Sequence, residues 1–223
     1  MTKETENKAS KVNYITLLMA VLLKPVSIFK KHLKNMTDIK VAGIYLAIVS
    51  AVAMILNLIN AIFTVVRVPV RTGGGWFEAG EITGHEWVWD NISWLEAIFR
   101  NFFIYAAVIA GIALIYFLAG LILKKEVRFE RALIVVTTAA IPLILTGLVL
   151  APILGWIWLI LGYTVAIAGM VYAFAILFSG LNLELDLEDD LMIYVHTICL
   201  VILAVIAYLI IVQMDVFDIL SLI

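Results

Sequence analysis

The chain has 223 residues, 65% of them hydrophobic and only 14% charged, with a net charge of −2. Soluble domains run at about 45–50% apolar and 25% charged residues, so this balance excludes an ordinary soluble enzyme and an electrostatic binder of nucleic acid. Cys199 is the sole cysteine, which excludes an intrachain disulfide and an all-cysteine metal site.

Residues 1–37 form a basic leading segment. Lys3, Lys8 and Lys11 precede the apolar run Ile15–Leu23, as in a secretory signal. No small-x-small cleavage site follows, and nine apolar residues cannot span a bilayer. After Pro25, apolar positions recur at Val26, Phe29, Leu33 and Met36 with lysines between them. This pattern predicts an amphipathic helix over 14–36 lying in the inner membrane surface. Lys24, Phe29, Lys30, Lys31 and Lys34 are its expected anchor to anionic head groups.

From residue 38 onward the chain reads as one transmembrane domain. Val41–Val66, Asn101–Leu123, Ala132–Leu183 and Leu191–Met214 contain no Asp, Glu, Lys or Arg. A hydrocarbon core roughly 30 Å thick needs about 20 helical residues, so three of these stretches each fit one crossing. The third would make a helix of roughly 78 Å and must fold back as two spans. The expected fold is therefore all-α and polytopic, with spans near 41–66, 101–123, 132–151, 156–180 and 191–214. Pro142 is expected to kink the third span, and Ala151–Gly155 to turn the chain into the fourth.

Small residues mark helix-packing faces at Gly43, Gly111, Gly162 and Gly169, each with an alanine four residues away. Asn57 and Asn60, one turn apart, are placed to hydrogen-bond between helices. His196 falls near an interface of the last span, and no acid lies at membrane depth to share its proton. That excludes a proton pump of ordinary design, and no catalytic, cofactor or metal site is expected.

Two segments outside the bilayer offer contact surfaces. The loop 67–100 gathers Trp76, Trp87, Trp89 and Trp94 beside several acids, as an interfacial anchor or a partner contact. Leu181, Leu183, Leu185 and Leu187 alternate with Asn182, Glu184, Asp186 and Glu188. That period of two predicts an extended surface segment, with the three acids as candidate partner contacts. Twelve of the fifteen basic residues lie before the first span or between the second and third, which predicts a cytoplasmic N-terminus and an extracytoplasmic C-terminus.

Lys24-Pro25 with Phe29, Phe129-Glu130-Arg131-Ala132-Leu133 running into Ala140-Ile141-Pro142, and Tyr172 through Phe178-Ser179-Gly180-Leu181 form a pattern. With the five-span plan, it resembles the Yip (Ypt/Rab-interacting protein) family, especially its bacterial members. The Asp-Leu-Tyr-Gly-Pro motif of the eukaryotic trafficking members is absent from this chain. The resemblance implies a non-enzymatic component of a bacterial plasma membrane, linked to ATP-driven exporters or envelope stress. Expected partners are the lipid bilayer and other membrane proteins. A transporter for an uncharged or amphipathic solute, and a membrane-shaping or trafficking factor, are the alternatives.

Overall fold

The computed structural model describes residues 38–62, 65–69, 82–87 and 93–220. The helix expected over 14–36, with Lys24, Phe29, Lys30, Lys31 and Lys34, lies outside the described residues, as do Trp76 and Trp89.

Helix α1 (Ile39–Ile62) starts where Asp38 caps it: Lys40 N donates to Asp38 Oδ1 at 2.9 Å. Strands β1 (Val65–Pro69) and β2 (Ile82–Trp87) follow as an antiparallel pair, with Arg67 opposite His85 and a register shift between Val68 and Pro69. The ribbon is an addition to an otherwise all-helical fold, which is the class expected. Its signal was the β-branched run Val65-Val66-Arg67-Val68, which the charge-free count had assigned partly to the first span.

Helix α2 (Trp94–Ile122) runs back and ends in a Schellman turn. Lys124 N donates to Leu121 O and Lys125 N to Gly120 O, both at 3.0 Å, with Lys124 in the left-handed region at φ 55°. The third crossing is one broken rod: α3 (Phe129–Leu145), a π-helical turn at Thr146–Leu150, then α4 (Ala151–Ile157). Trp158 is extended and turns the chain into α5 (Leu159–Leu185). Helix α6 (Asp189–Leu220) completes the described chain.

Among the described residues, four helical segments are long and apolar enough to cross a membrane: Ile39–Ile62, Trp94–Ile122, Phe129–Ile157 and Leu159–Leu185. The broken rod is central. Ala132 through Ala139 are all buried, and α3 packs against α1, α2 and α5. The other helices bury one stripe and expose the rest, as lipid-facing spans do: Ala42, Tyr45, Val49 and Ala53 are the buried stripe of α1.

Two further expectations are corrected. The reversal between third and fourth crossings is at Trp158, not at Ala151–Gly155, because Pro152 occupies the first turn of α4, where a missing N–H is tolerated. The segment from Leu181 to Leu185 is helical, not extended. A helix places Leu181 and Leu185 on one face, and both are buried in the core. The chain leaves the helix only at Asp186, in the left-handed region at φ 46°.

Candidate functional site

The break in the third crossing is the most chemically distinctive part of the bundle. A helical carbonyl is normally satisfied by the N–H four residues on. Residue 152 is a proline, so the Leu148 carbonyl has no such donor. Asn60, two residues from the end of α1, supplies the missing bond: its Nδ2 donates to Leu148 O at 2.8 Å. Within the π turn the ladder is shifted by one residue, and Ala151 N donates to Thr146 O. Thr146 Oγ1 in turn donates to Pro142 O at 2.8 Å. One turn earlier on α1, Asn57 Nδ2 donates to Asn101 Oδ1 at 2.9 Å, and Asn101 Nδ2 donates to Ala97 O at 2.8 Å. These amides tie α1 to α2 and to the broken rod at one end of the bundle.

The break also shapes a groove of about 630 Å³ between α1 and the rod, lined by Leu56, Ile59, Asn60, Leu148, Val149, Pro152, Ile153 and Trp156. Its far wall is held by α5. A Cβ on Gly162 would lie 2.7 Å from the Ala151 carbonyl oxygen and 2.9 Å from Gly155 Cα. A Cβ on Gly169 would overlap the Thr146 side chain. These two glycines thus sit at close contacts within the chain. Among the described residues nothing lies within 4 Å of a Cβ at Gly43 or Gly111, and the small-residue stripe of α1 lies beside its buried stripe, not within it.

At the opposite end, Glu184 faces inward with its side chain 3% exposed. Its Oε1 accepts from Arg128 N at 3.2 Å, and its Oε2 from Arg131 Nη1 at 3.4 Å. Lys125 Nζ donates to the Asp186 carbonyl at 2.8 Å. The α2–α3 connection is therefore joined to the α5–α6 connection. Of the three acids expected as partner contacts, Glu184 is committed internally, while Asp186 and Glu188 are exposed.

A third polar site lies among α2, α5 and α6. The Tyr116 hydroxyl and His196 Nδ1 share a buried hydrogen bond of 2.7 Å, and the edges of the His196 environment are the rings of Phe174 and Phe178. His196 is thus a packed core residue with a tyrosine partner. Of the loop tryptophans, Trp87 closes β2 opposite Val65, and Trp94 begins α2.

Sequence reasoning found Asn57, Asn60, Gly162 and Gly169 but missed their partners. Asn101 looked like the first residue of a span, and Pro152 looked like turn punctuation. The signal for Pro152 was its place ten residues after Pro142 in an unbroken apolar run.

The Yip1 domain family model matches residues 19–211. No curated protein and no solved structure matches the chain. The match takes in every crossing of the bundle, both connections at the Glu184 end and most of α6, and by it the chain belongs to the Yip1 domain family.

Proposed function

We propose that this protein is a non-enzymatic scaffold or accessory subunit of a multi-component membrane complex, with an exporter of peptides or toxins driven by ATP as the favoured instance. The observation that supports this is the internal use of polar groups. Asn57 bonds to Asn101, Asn60 to Leu148, Tyr45 to Thr138 and Tyr116 to His196, so these polar side chains are used to hold helices together. A proton or ion pump generally needs ionisable groups at membrane depth. In this reading α6 is the fifth span, the N-terminus is cytoplasmic, and the host membrane is a bacterial plasma membrane. Asp186 and Glu188, both exposed, supply a charged contact surface on that cytoplasmic side, with the Asp186 carbonyl held by Lys125.

The test has two arms. Purified protein alone in liposomes should move no solute, and gentle extraction from its native membrane should retain a stoichiometric partner containing an ATPase subunit. Saturable transport by the protein alone, abolished by Asn60→Ala, would establish the autonomous carrier instead. The broken third crossing is the observation that favours that second reading, since discontinuous helices line many transporter sites.

A further inference from the structure

We propose that the groove between α1 and the broken third crossing is a binding site for one phospholipid acyl chain, with the head group held at the Trp156 end. This rests on geometry and stands whether or not the accessory reading does. The walls come from α1 and from the π turn with α4, both within segments long and apolar enough to cross a membrane. The phase that meets this groove is therefore lipid hydrocarbon, not water. Its volume of about 630 Å³ falls in the roughly 300–1,000 Å³ range of ligand sites.

The lining matches a chain that changes polarity near one end. Leu56, Ile59, Leu148, Val149 and Ile153 are aliphatic. Asn60, two residues from the end of α1, places an amide in the wall where the ester region of a lipid lies. Trp156 lines the groove at its most exposed point, 78% exposed, two residues before the reversal at Trp158. Indole rings favour that head-group level. The groove is also built, not incidental to loose packing. The π turn sets the course of Leu148 and Val149, Pro152 leaves the Leu148 carbonyl to Asn60, and Gly162 and Gly169 bring α5 against the back of the rod. A π turn gives up regular helix bonding, and such turns recur at functional sites.

The chain's own 63–92 connection and a second copy of the protein are the rival occupants. Photo-crosslinking of the full chain in its membrane separates them. The mouth variant Trp156→p-benzoylphenylalanine is compared with Ile167→p-benzoylphenylalanine, a lipid-facing position on α5 away from the groove. Each is irradiated before and after detergent washing that strips bulk lipid. The mouth probe should give a phospholipid adduct that survives washing, while the Ile167 adduct disappears. Filling the groove from either wall, by Val149→Phe or by Ile59→Trp, should abolish the surviving adduct. Two variants from opposite walls guard against a loss caused by misfolding of one. Adducts to residues 63–92 or to a second copy would overturn the proposal. So would mouth and control adducts that wash out together, or an adduct indifferent to both filling variants.

Discussion

Gly162 and Gly43 are both glycines on helical faces, yet their surroundings assign them opposite sensitivities. The Cβ of an alanine at 162 would meet the Ala151 carbonyl and Gly155 Cα, which are backbone atoms and cannot rotate away. Gly162→Ala should therefore destabilise the bundle by about 1–3 kcal/mol, the usual cost of overpacking. Gly43→Ala meets nothing and gains helix propensity, so it should be neutral or stabilising by up to about 1 kcal/mol. Reversible unfolding in mixed micelles measures both. Equal effects would mean that the α4–α5 approach is looser than the contacts at Gly162. Tyr116→Phe tests the other residue-scale device. It removes the hydroxyl that partners His196 Nδ1 and leaves the ring stack in place. Interhelical hydrogen bonds in bilayers average about 0.6 kcal/mol with a maximum near 1.7, so the loss should fall within that span. Such pairs were not legible in the sequence. His196 and Tyr116 are separated by 80 residues, and nothing local to either reports the other.

At the scale of elements, Asn60 and Pro152 form a compensated pair, and a double-mutant cycle shows it. Asn60→Ala in the native background leaves the Leu148 carbonyl without its side-chain donor and should cost about 1–2 kcal/mol. Pro152→Ala supplies a backbone N–H to the helix at that point, so Asn60→Ala should cost much less in its presence. Additive costs would mean that the proline and the asparagine act independently. The junction at the other end answers to the same logic. Glu184→Ala strips the acceptor from Arg128 N and from Arg131 Nη1, while Arg131 Nε is already buried without a partner. A loss of about 1–3 kcal/mol is expected, against almost none for exposed Glu188→Ala. The existence of each helix was legible, because the length of an apolar run against bilayer thickness settles it. The period of Leu181–Leu187 misled because alternation by two and spacing by four coincide at Leu181 and Leu185, and burial of that pair selected the helix. The signal of the β1–β2 ribbon was masked for a related reason: Val65 and Val66 satisfy a hydropathy count as well as they suit a strand.

For the whole molecule, the arrangement of ends carries the last prediction. The basic connection at Lys124–Arg131 and the acidic connection at Glu184–Asp190 lie at one end of the bundle, since Glu184 bonds to Arg128 and Arg131. In the proposed topology that end is cytoplasmic, because Lys and Arg, and not acids, bias orientation. Helix α6 then leaves it at Asp189 and is 32 residues long, roughly 48 Å of rise against a hydrocarbon core of about 30 Å. It has length enough to cross. A reporter inserted in the Lys124–Arg131 connection should be active in the cytoplasm, and one fused after Ile223 should be active only outside it. Charge supplies the control that separates orientation from span count. Replacing Lys124, Lys125, Arg128 and Arg131 by neutral residues weakens the bias, so some molecules should invert, and the two reporters should invert together. Reporters that stay on opposite sides in every molecule require an odd number of crossings after the 124–131 connection. If both report cytoplasm in the native chain, α6 lies along the membrane surface, the crossings number four, and the C-terminus joins the acidic face as part of one cytoplasmic contact surface.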